Sequence, residues 1–298
     1  MITVTIWGTR GSLASPGSDT AGYGGNTSCV EVRGADDTVL VLDAGTGIRP
    51  LGASLPQTMK RVDVLLTHLH MDHIQGLGFF APLYRSDVEV HIWGPASTTQ
   101  SLRARLARYL SPPLFPVHLR DLPCKIFLHE VPCGDFQIGS FAVSSALVCH
   151  PGPTVGYRIE TDEASLAYIP DHEPALGMER VPSRPEWTSG HELAAGVDLL
   201  IHDAQYSNEE YVDRIGWGHC SVEHALQFGA LAGAKRLLLF HHDPAHSDHE
   251  VERILTAAFL ALRPPFEVTA AAEGSIYRLG TRAARRSEGH RPHDKPAA

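Results

Sequence analysis

An α/β fold, with two packed sheets and helices on their outer faces, is what this 298-residue chain predicts. Three observations carry that expectation. Short runs rich in Val, Ile, Leu and Thr recur along the whole length, each bounded by turn residues; helical patterns are fewer and fall between them; and the arrangement repeats in two similar halves. In the first half the runs at 3–7, 29–33, 38–42, 62–67 and 88–92 read as strands, followed by a helix over 101–110. Strands resume at 125–131, 141–148, 155–160, 165–169 and 198–202. A helix over 221–232 opens with Ser221, a capping residue, and Glu223, whose charge suits the positive first turn. After a strand at 236–240, the helix over 247–262 again opens with Ser and acidic residues, and a strand at 275–279 follows. No linker interrupts these elements, so residues 1–280 read as one domain. The remainder, 281–298, has no apolar residue but Ala and is expected to be a disordered tail.

Composition narrows the function. Hydrophobic residues at 43% and charged residues at 20% suit a globular chain, and a net charge of −9 argues against broad polyphosphate binding. Five Cys with no CxxC spacing exclude a disulfide scaffold or zinc knuckle. The opening MITVTIWGTRG lacks the basic stretch and apolar core of a signal peptide. No apolar run approaches the ~18 residues of a membrane span, so a cytoplasmic protein with reduced thiols is expected. The 18 His stand out, since imidazole is the commonest metal ligand.

The His are not scattered. Thr67-His68-Leu69-His70-Met71-Asp72-His73 follows a buried strand. Because strand side chains alternate, His68 and His70 leave its end on the same side, and Asp72 and His73 follow in a turn. Three imidazoles and a carboxylate at this density are hard to justify as packing, since buried imidazoles need partners and repel one another when protonated.

HLHMDH resembles the HxHxDH signature of the metallo-β-lactamase superfamily of hydrolases, and the resemblance runs from Ile6 to about His249. It implies an αββα sandwich of two mixed sheets with a two-metal centre at its open edge. It implies His68, His70 and His150 on one metal, Asp72, His73 and His241 on the other, and Asp171 bridging them. The later positions match in context: His150 precedes Pro151-Gly152, Asp171 closes an Ile-Pro-Asp turn, and His241 directly follows the apolar run 237–240. His242 is a rival for the last place, with adjacency to the strand favouring His241. Imidazole at position 70, where the flavodiiron branch has Glu, favours hydrolysis with two divalent ions, zinc first and manganese second. Asp43 resembles the family carboxylate that orients a ligand His; a turn Asp before glycine suits it equally.

Further segments are similar to ribonuclease Z and its cyclic-phosphodiesterase relatives. They are Gly8-Thr9-Arg10-Gly11-Ser12, Gly25-Asn26-Thr27-Ser28, Ile201-His202-Asp203-Ala204-Gln205 and Gly218-His219-Cys220-Ser221-Val222-Glu223-His224-Ala225. The last resembles the segment carrying a proton-donating His, which gives His219 that role, with Asp203 steadying it. With Asp72, these are the catalytic candidates. Two departures bear on substrate. The stretch 21–25 lacks the basic residues of ribonuclease Z, and the stretch between His150 and Asp171 is too short for its tRNA-gripping arm. Residues 172–191, rich in Pro and charge, read as an insertion that could form a lid.

The expectation is a dinuclear metal-dependent phosphodiesterase that attacks cyclic nucleotides, or a related small cyclic phosphate, with a hydroxide held between two cations. A tRNA 3′-end nuclease of the ribonuclease Z type, a lactonase or thioesterase on the same metals, and a nucleotide sensor without turnover are the alternatives. Nucleic acid is the less favoured substrate, no membrane is involved, and a homodimer is expected because relatives with this sandwich often pair.

Overall fold

The computed structural model describes residues 1–131 and 133–280. The tail expected over 281–298 lies outside them. In chain order the strands are β1 (Ile2–Gly8), β2 (Cys29–Arg33), β3 (Val39–Leu42), β4 (Arg61–Leu65), β5 (Glu89–Pro95), β6 (Lys125–Val131) and β7 (Gly134–Ile138). They continue with β8 (Phe141–Leu147), β9 (Val155–Thr161), β10 (Ala164–Ile169), β11 (Leu199–Asp203), β12 (Arg236–Phe240), β13 (Glu267–Ala270) and β14 (Ile276–Leu279). The helices are α1 (Ile48–Ser54), α2 (Met71–Ile74), α3 (Leu102–Tyr109), α4 (His191–Ala194), α5 (Asn208–Val212), α6 (Val222–Ala232) and α7 (Asp248–Leu262).

The strands form two seven-stranded sheets, ordered β14-β1-β2-β3-β4-β5-β6 and β13-β12-β11-β10-β9-β8-β7. Each joins three antiparallel pairings to three parallel ones. This is the pair of similar halves expected from the sequence, in a mixed-sheet α/β sandwich. One buried cluster, including Ile6, Val30, Leu40, Tyr157, Leu166 and Phe240, fills the space between the sheets. Two more lie under the outer helices, around Val64, Leu77 and Leu106 on one side and Ala167, Leu226 and Phe228 on the other. Central strands β3 and β11 are buried at every position, which is why they read as continuous apolar runs, whereas β1 alternates.

The two anticipated caps, Ser221 and Ser247, are formed, and Ser101 adds a third. Ser101, Ser221 and Ser247 each accept a hydrogen bond from the backbone N–H three residues on. Two strands were not anticipated. Edge strand β7 is Gly-Asp-Phe-Gln-Ile with only Ile138 buried, and β13 has no buried residue, so neither shows an apolar signature. The run at 62–67 is shorter than expected: the ladder ends at Leu65, and the Thr67 N–H turns instead to the Asp43 carboxylate. Parallel strands aligned in this way open their carboxyl ends on one edge, where ligand sites of α/β sheets form.

Candidate metal centre

Asp43, just past β3, is the hub of that edge. Its backbone is left-handed at φ 59°, and its carboxylate accepts from the Thr67 N–H (2.8 Å), the Thr67 hydroxyl, the Tyr168 hydroxyl (2.9 Å) and His73 Nδ1 (2.7 Å). Four donors from both sheets therefore fix the start of the His68–His73 loop. Both readings of Asp43, turn residue and orienting carboxylate, describe part of what it does.

The loop brings the sequence-predicted residues together with side chains from three other strand ends, those of β8, β10 and β12. His68, His70 and His150 belong to a group whose ligand atoms all lie within 4.8 Å of one another, and Asp72, His73, Asp171 and His241 form a second such group. Between them sits Asp171. Its Oδ1 is 3.0 Å from His73 Nε2, and its Oδ2 is 3.4 Å from His241 Nε2 and 3.7 Å from both His68 Nε2 and His150 Nε2. Asp72 Oδ2 lies 3.1 Å from His241 Nε2 and 3.3 Å from His73 Nε2, and the Ser12 N–H steadies it at 2.7 Å.

On four of the five rings the outward nitrogen is spoken for. His73 Nδ1 donates to Asp43, His150 Nδ1 to the Gly218 carbonyl (2.8 Å), and His241 Nδ1 to Gln205 Oε1 (3.1 Å). His68 Nδ1 donates to the Thr67 hydroxyl oxygen at 3.1 Å, whose own proton goes to Asp43. With one nitrogen donating outward, a neutral ring presents a bare lone pair inward, the form in which imidazole binds a metal. His68 Nε2 is buried with no hydrogen-bond partner among the described residues, and His70 Nδ1 faces His150 Nε2 at 3.1 Å. Packing does not account for acceptors turned on acceptors.

Electrostatics point the same way. Burial pushes His68 well below the usual imidazole range and His150 down to about 4, so both are neutral. Burial opposes charge on His73 and His241 as well, but Asp171 and Asp72 outweigh it, raising His73 well above the usual range and His241 to about 9. Burial likewise opposes ionisation of Asp171, yet His241, His73 and His68 hold its carboxyl well below the ordinary range. Buried carboxylates that draw positive charge inward make the donor set fit divalent cations.

At the rim, His219 Nδ1 donates to Asp203 Oδ2 at 2.7 Å, and its ring stacks on His241 with centroids 4.9 Å apart. Asp203 is fully buried, and its Oδ1 also accepts the Gln205 and Cys220 N–H groups (3.1 and 3.2 Å). Gly218, at φ +87°, lies against the His150 ring, where a Cβ would stand 2.5 Å from Nδ1. Three residues of this support went unanticipated. Glu173 accepts from Gly216 and Gly218 N–H and the Tyr211 hydroxyl, shaping the loop before His219; Gln205 holds His241; Thr67 holds His68. For Glu173 the only signal was a charged residue two places after Asp171.

His242 points away, donating from Nε2 to the Ala271 carbonyl (3.0 Å), while His241 is in the cluster. The segment 172–191, which the sequence leaves open as a lid, is tied to the body of the fold. Val181 N–H bonds Gln227, His224 Nε2 donates to the Glu179 carbonyl, and Gly177 N–H bonds Tyr211. The segment therefore packs on α5 and α6, and none of it lines the two cavities beside the cluster. One cavity, of about 540 Å³, opens over His68 and His70; the other, of about 440 Å³, holds Ser12, Gln205, Trp217 and His219.

Gly11 makes a further prediction. A Cβ there would stand 2.2 Å from His241 Nδ1. Gly11→Ala should displace that ring and weaken metal binding at the Asp72/His73/His241 end by ~10–100-fold, the usual cost of disturbing a ligand's support. Titration of the purified variant with zinc checks this; wild-type affinity would contradict it.

Two mixed sheets carrying this His/Asp cluster on their open edge define a metal-dependent hydrolase. Residues 38–242 match the beta-lactamase superfamily domain, and the chain belongs to that superfamily. A ribonuclease Z of Mycobacterium sp. (strain KMS) is 29% identical over 262 residues, spanning 82% of this chain and 85% of its own. Among solved structures, human short-form tRNase Z superposes with a TM-score of 0.66 at 22% identity, covering 93% of this chain and 99% of that one. A diphosphatase of the PhnP family gives 0.64 at 18%, covering 95% and 100%.

Proposed function

We propose that the protein is a dinuclear metal-dependent phosphodiesterase acting on small phosphodiesters, cyclic nucleotides foremost. The His219–Asp203 pair carries this reading. His68, His70 and His150 would hold one ion, Asp72, His73 and His241 the other, and Asp171 both. When bound, such ions supply an activated water and neutralise charge growing on the phosphoryl oxygens. The five imidazoles and two carboxylates favour zinc, then manganese.

What this chain's own residues add is a proton at the other end of the bond being broken. An alkoxide leaving group needs one. Asp203 holds His219 by Nδ1, leaving Nε2 without a hydrogen bond among the described residues and on the wall of a cavity. The ring can then give its Nε2 proton to the leaving oxygen, while buried Asp203 holds the ring by Nδ1 in the orientation that aims Nε2 at the cavity. An ester with an acidic leaving group has little use for such a pair.

A second reading, a tRNA 3′-end nuclease, is favoured by the similarity to ribonuclease Z of Mycobacterium. Against it, the chain between His150 and Asp171 is consumed by the β9–β10 hairpin, leaving no segment there to reach a tRNA. Residues 1–280 form the hydrolase domain in this reading, and the protein pairs as a homodimer. Light scattering should then give about twice the 32.4 kDa chain mass; a single-chain mass at micromolar concentration would contradict the dimer. Turnover of cyclic nucleotides by the metal-loaded protein tests the function itself.

A further inference from the structure

The cavity over His68 and His70 carries two guanidiniums that the chemistry above does not use. Arg105 and Arg108 lie one turn apart on α3, and both line it together with Met71, Tyr109 and Leu114. Arg105 spends one amino group on the Pro95 carbonyl, but its buried Nε has no partner among the described residues. Arg108 is exposed and makes no ion pair or hydrogen bond among them. In a chain of net charge −9, with acidic groups in excess, two such guanidiniums facing one cavity are a marked exception. A planar fork of unpaired N–H donors matches an oxyanion, above all phosphate.

The position narrows the ligand. His219 lies in the other cavity, so a leaving group that takes its proton departs on that side. The part of the substrate that keeps the phosphoryl group is left the cavity on the α3 side. At about 540 Å³ it suits a nucleotide-sized group, with Tyr109, Leu114 and Met71 offering apolar surface beside the two cations. We propose that the substrate carries a second phosphate, on the portion it retains after cleavage, which Arg105 and Arg108 bind in this cavity. A small bisphosphorylated ester is favoured over an RNA flank, because a polyanion calls for many basic contacts along its track and this site offers two.

The proposal rests on the phosphodiesterase reading, and the test keeps the two apart. The p-nitrophenyl ester of thymidine 5′-phosphate, with and without a 3′-phosphate, gives two substrates sharing one scissile bond and one leaving group. Metal-loaded protein should prefer the 3′-phosphorylated ester by ~10–100-fold in kcat/KM, expressed in KM, as expected for charge-assisted hydrogen bonds. Arg108→Ala should shrink that ratio several-fold, Arg108→Lys should recover part of it, and adding Arg105→Met should abolish it. Equal kcat/KM for the two esters in wild type, or a ratio that survives in the double variant, overturns the proposal. If neither ester nor any cyclic nucleotide turns over, the phosphodiesterase reading has failed. The site is then judged by calorimetry with thymidine 3′,5′-bisphosphate against thymidine 5′-phosphate: tighter binding of the bisphosphate that is lost in the double variant supports it, and equal affinity overturns it. Slower pre-tRNA cleavage in the variants, with no preference between the esters, would assign the arginines to an RNA flank and also overturn it.

Discussion

Asp171→Ala should cut activity on every substrate by at least ~10³-fold and lower the metal content of both sites together. The side chain is buried, and its two oxygens lie between the two ligand groups, within 3.7 Å of imidazole nitrogens from each. Charge stabilisation by metal ions is worth several kcal/mol, and each 1.4 kcal/mol is tenfold in rate. The loss should not depend on the leaving group, because what disappears is the means of activating water and holding the phosphoryl group. Elemental analysis after zinc loading is the companion measurement. About two ions per chain in wild type and one or fewer in Asp171→Ala is the expected pair of results. Two ions retained in the variant would show that Asp171 does not bridge.

His219→Ala should behave differently. A drop in kcat of ~10²–10⁴, the usual worth of general acid catalysis, is expected on a ribose alkoxide leaving group, with metal content unchanged. On p-nitrophenolate, which departs without a proton, the drop should nearly vanish. Asp203→Asn should show the same dependence more mildly: it replaces the carboxylate that accepts from His219 Nδ1 but keeps a group at hydrogen-bond distance to hold the ring. Metal lost from His219→Ala, or an equal loss on both leaving groups, would move His219 from proton donor to support of its stacked neighbour His241.

How much of this was legible in the sequence follows from where each residue's role arises. The candidate ligands could be read because they stand at the ends of apolar strands: His68 after β4, Asp171 after β10, His241 after β12. Strand ends lie at an open edge, and polar residues that gather there call for a reason. The two sheets were legible through buried strands such as β3 and β11, whose apolar runs leave no other environment for them. Edge strands β7 and β13 were not, because their pairing depends on a neighbour already in place rather than on their own side chains. Glu173 and Gln205 were equally hidden. Each acts through backbone or ring groups of a distant loop, and no spacing records that Glu173 meets Gly216 and Gly218. The packing of segment 172–191 was hidden for a related reason. Its Pro and charge read as a free loop, whereas its backbone N–H and C=O groups are tied to the side chains of Tyr211, His224 and Gln227.

The most direct test is a turnover panel with the zinc- or manganese-loaded protein, comparing 2′,3′- and 3′,5′-cyclic mononucleotides, cyclic dinucleotides, a pre-tRNA and a small lactone in one assay series. The account predicts hydrolysis of one or more of the small phosphodiesters with kcat/KM well above that for the lactone, and loss of that activity on metal removal. Rapid lactone opening with no phosphodiester turnover, or cleavage of the pre-tRNA alone, would contradict it.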